Sequence, residues 1–339
     1  MFGNRRAQLQ FVLPLLVACL STERVVAQTH SPHPEAHTEI DRSGPHPSAA
    51  AAGDLTPTQS SQLASSLAAH DYTAAETLLL AEINRDPSSP HAARLLALIG
   101  HVYFLNADYL NAAIAWKKSE KIAPLDPSAE FSLAMVYIRL HHPEWARPLL
   151  DRLNRNHPDD ALYPYWLGRL DYDAQHFDSA IAHFTRAIAL RPDMARAYDN
   201  LGLCYFSQNK NPLAIENYRK AIDLDPTSAW PHLNLAIALH FLNHLDDAKA
   251  ELQEALRLDP NLAQAHYELG LVLEAQQHFD PAITALSDAA SLDPNYPEPH
   301  VALARIYRRQ GRKDLAQQQV QLFQQLRAKA QPTLNPHVH

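Results

Sequence analysis

Between residues 55 and 330 the chain is written in short apolar runs with a helical cadence. The clearest stretch places Leu201 and Tyr205 four apart, then Ala214, Tyr218 and Ala221 at spacings of four and three. That pattern predicts two helices, a helix A over 195–208 and a helix B over 212–224. Asp225-Pro226 ends the second, because Pro disfavours helical backbone in the residue before it. The pattern then recurs. Prolines fall at 124, 158, 192, 226, 260 and 294, always 34 apart, and Gly100, Gly168, Gly202 and Gly270 keep the same phase. A small residue holds the eighth position of the period (Ala134, Gly202, Ala236, Gly270, Ala304) and Ala the twentieth (Ala146, Ala180, Ala214, Ala248, Ala282, Ala316). Small side chains there let each helix approach its neighbour. One helix pair cannot bury its own apolar face, so the pairs must stack.

The run Tyr198-x2-Leu201-Gly202-x2-Tyr205, followed by Ala214, Tyr218, Ala221 and Pro226, resembles the tetratricopeptide repeat (TPR). The resemblance implies an all-α helix-turn-helix solenoid, a right-handed superhelix with a concave groove. Seven good repeats fit the frame at 93–126, 127–160, 161–194, 195–228, 229–262, 263–296 and 297–330, and a degenerate one at 55–89. Pro87 to Pro124 is 37 residues, so three are inserted after the first repeat. The ends read as caps: Thr58, Gln59, Ser60, Ser61, Ser65 and Ser66 make the first repeat polar. A last helix over 312–329 should turn Leu315, Val320, Leu322, Phe323 and Leu326 inward and Gln317, Gln321 and Gln325 outward. Residues 331–339 are expected to fray.

Residues 1–27 read as an export signal: Arg5 and Arg6, then the apolar run from Phe11 to Leu20, too short to span a bilayer. Two processing sites compete. Val25-Val26-Ala27 suits a signal peptidase; Leu16-Val17-Ala18-Cys19 resembles a lipobox, in which Cys19 is lipidated. Residues 28–54 are rich in Pro, His, Ser and Ala with one large aliphatic, Ile40, and are expected to form a disordered spacer.

Composition narrows the chemistry. A net charge of −8 argues against a basic nucleic-acid binder, and two cysteines, Cys19 and Cys204, give no disulfide framework. Of 8 glycines, Gly100, Gly168, Gly202, Gly270 and Gly311 belong to the repeats and Gly3, Gly44 and Gly53 stand singly, so no phosphate loop is left, and no nucleophile elbow is present. No cofactor or metal is expected. His232, His266 and His300 recur every 34 residues, yet repeat copies sit too far apart to share one ion, so they are read as packing groups. Cys204 reads as a small core residue.

The resemblance assigns groove positions on helix A, which here hold Tyr165, Trp166, Arg169, Tyr172, Phe206, Trp230, Phe241 and Tyr267. Aromatics with Arg suit a protein partner; they either open to the groove or pack between helices. Asn200 and Asn234 take the sixth position in successive repeats, where TPR arms that grip peptide backbones carry an amide ladder. Trp166 and Glu268 occupy it next door, so the ladder has two rungs. Arg305, Arg308, Arg309 and Arg312 share one helix face, either as a receiver for a carboxylate or as a solvated helix end. Asp171 stands where the repeat wants Tyr, so either the helix rolls or Asp171 is exposed. Pro148 should kink or delay its helix.

The expectation is a non-catalytic, exported scaffold that binds a protein or peptide, without nucleic acid, and meets a membrane only through Cys19. Its rivals are a lipid-anchored assembly factor for an envelope machine and a small-ligand binder or enzyme centred on Trp166, Arg169, Phe206 and Trp230.

Overall fold

The computed structural model describes residues 55–330. The expected leader with Cys19, the spacer and the tail lie outside the described residues. Those residues form sixteen helices and no strand. In order they are α1 (Pro57–Ala68), α2 (Tyr72–Ile83), α3 (Pro90–Leu105), α4 (Tyr109–Ile122), α5 (Pro127–Arg139), α6 (Pro143–Asn156), α7 (Leu162–Asp173) and α8 (Phe177–Leu190). They continue as α9 (Ala195–Ser207), α10 (Asn211–Leu224), α11 (Ala229–Phe241), α12 (Leu245–Leu258), α13 (Ala263–Ala275), α14 (Phe279–Leu292), α15 (Glu298–Arg309) and α16 (Lys313–Ala330). Odd-numbered helices are the A helices and even-numbered ones the B helices of a TPR solenoid.

Each A helix meets its B partner through the small eighth position. A Cβ on Gly202 would lie 2.5 Å from the Tyr218 ring, and one on Gly270 would lie 2.5 Å from Leu286. Turns between A and B repeat as faithfully as the helices. Ala107, His141, Gln175, Asn209, Asn243 and Gln277 all take positive φ, as does Gly311. Behind each turn the next amide reaches back, as Lys210 N–H does to the Tyr205 carbonyl (2.8 Å), which satisfies the helix end.

The chain divides into two compact units, Met1–Gln175 and His176–His339. The first holds cores around Leu95 and Ile99, around Trp116 and Leu133, and around Leu150 and Leu167. The second holds cores around Leu233 and Leu252 and around Leu286 and Ile306.

Three expectations need correction. Asp171 is neither exposed nor rolled away: it is 3% exposed and bonded to Arg147 of α6. A buried carboxylate is tolerated because the preceding B helix supplies the cation. Pro148 does not delay α6, which starts at Pro143 and runs on through it. On α16, Leu322 is 40% exposed, while Leu315, Val320, Phe323 and Leu326 are half-buried as expected and Gln319 joins them.

Candidate protein-binding site

The A helices of the second unit carry most of its buried polar groups, and several of these tie one repeat to the next. From α11, Asn234 donates its amide to Asp199 Oδ1 of α9 at 2.9 Å. His240 Nδ1 of α11 lies 3.9 Å from Glu268 Oε2 of α13. Glu274 of α13 accepts two bonds from Arg305 of α15, at 2.7 and 2.6 Å, and Arg309 stands 3.7 Å from the same carboxylate. Glu268 is 3% and Glu274 4% exposed. Burial at that level demands a partner, and the two-pronged Arg fork is the strong form of one. The bond to Glu274 raises the Arg305 pKa against the opposing effect of burial.

These contacts revise the sequence reading. Asn200 and Asn234 are 4% and 5% exposed, not open rungs. Asn200 donates to the Arg196 carbonyl at 2.7 Å, as Asn234 does to Asp199. The sixth position faces other parts of the chain closely enough that a desolvated amide must bond inside it. The arginine patch is partly answered from within. Arg305 and Arg309 face Glu274, and Arg312 lies over the Tyr307 ring, 4.8 Å from its centroid. Arg305, Arg308 and Arg309 are all exposed on α15.

The aromatics divide by burial. Phe241 is 53% exposed at the end of α11 and meets Phe206 edge to face, 5.9 Å between centroids. Phe206 and Trp230 are half-buried against the core around Leu233. Tyr267 is half-buried and meets Tyr296 edge to face at 5.2 Å. Burial pushes both phenols well above their ordinary range, and the nearby Glu268 and Glu298 carboxylates push the same way. In the first unit Trp166 is core, packed with Phe131, Leu150 and Leu167. Arg169 and Tyr172 are buried, and Tyr165 is half-buried beside Trp166. The aromatic centre of the small-ligand rival is thus drawn into packing: Trp166 into one core, Phe206 and Trp230 against another.

Two of the recurring histidines turn to their own repeat and one to the end of the repeat before it. His232 lies 2.7 Å from Glu251, His300 lies 2.7 Å from Gln319, and His266 Nε2 lies 3.0 Å from the Pro260 carbonyl. Cys204 is fully buried. Sequence reasoning missed Asp199, Glu268 and Glu274. A signal was present: a carboxylate at the twelfth position and an Arg at the ninth position of the next repeat, 31 residues on.

Comparison with known proteins agrees with this architecture. Models of the TPR repeat match residues 202–243 and 241–277, and a tetratricopeptide repeat model matches 263–296. No curated protein matches the chain. Among solved structures, a tetratricopeptide repeat protein from Parabacteroides merdae ATCC 43184 is 16% identical with a TM-score of 0.61, over 79% of this chain and 98% of its own. The APC/C hetero-tetramer Cut9-Hcn1 is 21% identical with a TM-score of 0.58, over 72% of this chain and 48% of its own. Pseudomonas aeruginosa pilF is 19% identical with a TM-score of 0.53, over 61% of this chain and 95% of its own. At these identities the solved structures show the fold alone, and the repeat models identify tetratricopeptide repeats over residues 202–296.

Proposed function

We propose that the chain is a non-catalytic, exported scaffold that holds an extended peptide or helix of a partner protein on the A-helix face of the unit His176–His339. One observation carries the reading: Phe241, half in water and braced by Phe206, on the same helix layer as the exposed Arg305, Arg308 and Arg309. An exposed aromatic with a fixed neighbour is the form of a binding hot spot, and flanking guanidinium groups favour an acidic or carboxylate-bearing partner. Trp230 and Tyr267 extend the aromatic surface at half burial. Asn200 and Asn234 take the role of spacers that hold the A helices, rather than rungs.

In-cell crosslinking and pull-down from the native host tests this, with wild type against Phe241→Ala combined with Trp230→Ala. The expected result is a partner captured by wild type and lost by the variant. The same partner kept at the same level would move the interface elsewhere and sink the proposal. The address is proposed from residues 1–27, with Cys19 carrying the lipid-anchored alternative. Mass spectrometry of the mature N-terminus decides between them: acylated Cys19 makes the chain a tethered assembly factor, and a free Gln28 makes it a soluble exported one.

A further inference from the structure

The outer faces of α4 and α6 carry a broader apolar stripe than the other B helices; α10 has one exposed aliphatic, Leu213, ahead of Arg219 and Lys220. Along α4, Leu110 and Ile114 are exposed at 62% and 42%. Lys117, Lys118 and Lys121 follow, also exposed. The stripe is apolar toward the helix start and cationic toward its end. Helix α6 repeats the order: Trp145 is 51% exposed and Pro148 is exposed, then Arg152 and Arg155. The two helices are neighbours. Arg152 reaches to 3.8 Å from Glu120 of α4, and Leu149 of α6 packs on the cluster around Trp116. As equivalent B helices of successive repeats they run the same way, so the two stripes align into an apolar band beside a basic band. Trp145 is held in place, stacked on His142 at 3.9 Å and edge-on to Tyr137 at 5.5 Å. Leu105, 53% exposed at the end of α3, continues the apolar band toward the turn before α4. The nearby acids are Glu120, which faces Lys117 and Arg152, the half-buried Asp151, and Glu144 beside Trp145, exposed and paired with His142 at 2.9 Å.

The repeat does not require this. The position of Leu110 is Glu144 in α6 and Asp178, Asp246 and Asp280 in later B helices, and that of Ile114 is Pro148 in α6 and Ala182, Glu216, Ala250 and Thr284 in later ones.

We propose that the outer face of α4 and α6 docks on an anionic phospholipid surface, with Leu110, Ile114 and Trp145 entering the interface and the lysines and arginines behind them meeting headgroup phosphates. A rise of about 1.5 Å per residue sets the two bands roughly 10 Å apart along the helix axes, so with the helices inclined to the surface the apolar band enters the acyl boundary while the basic band stays at the headgroups. Separate, protruding bands suit a layered medium; a protein partner would be met by interleaved charge and a groove. Trp with Lys and Arg is the composition of interfacial contacts. No described helix is long and apolar enough to cross a bilayer, so this contact lies at the surface.

The test is sedimentation of the full chain with vesicles of phosphatidylcholine alone and of phosphatidylcholine mixed with phosphatidylglycerol. Three double variants are compared: Lys118→Glu with Lys121→Glu, Leu110→Ser with Ile114→Ser, and Arg219→Glu with Lys220→Glu on α10. The apolar run in residues 11–20 contributes equally to all of them. The lysine variant is expected to lose roughly 20-fold or more in partition to the anionic vesicles, since each cation at the surface is worth about 1 kcal/mol. The leucine–isoleucine variant should lose roughly tenfold, while the α10 variant keeps wild-type binding. Four results overturn the proposal: no preference for anionic vesicles, no loss in either α4 variant, equal loss in the α10 variant, or a loss confined to the lysine variant. Unchanged circular dichroism in each variant establishes that the fold is intact, as expected for exposed positions.

Discussion

The two units answer their buried carboxylates from opposite layers. In Met1–Gln175 the cation comes from a B helix: Arg152 pairs with Glu130 at 2.6 Å and Arg147 with Asp171. In His176–His339 the facing group comes from a neighbouring A helix, as Arg305 of the next one does for Glu274 and His240 of the preceding one for Glu268. In both, the guanidinium stays partly in water while the carboxylate does not; Arg152 and Arg305 side chains are 45% and 47% exposed. The pairing rule therefore puts exposed positive charge on the B face of one unit and the A face of the other. The difference shows how one 34-residue frame can present two unlike surfaces. The frame fixes which positions are core, and the choice of partner for each buried acid fixes where basic surface accumulates.

The largest effect should come from Arg147→Ala. It leaves the Asp171 carboxylate buried without its main cation, at a cost on the order of 3 kcal/mol. Repeat arrays unfold by neighbouring blocks, so the loss should appear in the first unit. Hydrogen exchange under mild urea reads this out: amides of α5 to α7 should exchange faster, while those of α11 to α15 hold. Adding Asp171→Leu should recover most of the loss, because the apolar substitute needs no partner. If Arg147→Ala alone leaves exchange unchanged, the B-helix pairing carries no weight and the comparison between the units fails.

Arg305→Ala should cost less, about 1–2 kcal/mol, because Arg309 already stands 3.7 Å from Glu274 and can close on it. Thermal melts of Arg305→Ala, Arg309→Ala and the double variant form a cycle. The double variant should lose more than the sum of the singles. Strict additivity would mean the two arginines do not share Glu274, and the A-layer tie would then rest on one bond.

The period, the helix pairs and the helix ends at Asp-Pro were legible because each rests on a local rule repeated in phase. The turns were less so. A positive φ invites Gly, yet among the turns named above only Gly311 supplies one; Ala107, His141, Gln175 and Asn209 accept the strained backbone because the flanking helices fix it. The site was legible as positions but not as contacts. The frame placed Asn234 and Arg305 on helix A correctly. It gave no view of Asp199 or Glu274, since a repeat pattern says which face a residue takes and not which side chain arrives from the next repeat. Asp171 failed for the same reason: its partner Arg147 lies 24 residues earlier, on a helix read only for its packing.

The smallest effect, and the sharpest on the layer rule, is Tyr103→Phe. Tyr103 of α3 donates to Glu76 of α2 at 2.6 Å, a third bond in the first unit between an A helix and a B helix, matched in the second unit by His232 with Glu251. Burial, and after it the hydrogen bond to Glu76, pushes the Tyr103 phenol up to about 12. An ordinary phenol titrates near 10, so the folded state favours the protonated form. The stability this bond supplies is whole below pH of about 10 and is lost as pH rises through about 12. Wild type should therefore exceed Tyr103→Phe by about 1 kcal/mol at neutral pH, and the gap should close between those values. Urea titrations of both proteins across that range measure it. The half-buried Tyr267 and Tyr296 are common to both proteins and cancel from the difference. A gap that stays constant to high pH would assign the loss to packing rather than to the bond, and would leave the ties between A and B helices in the first unit resting on its two carboxylate pairs.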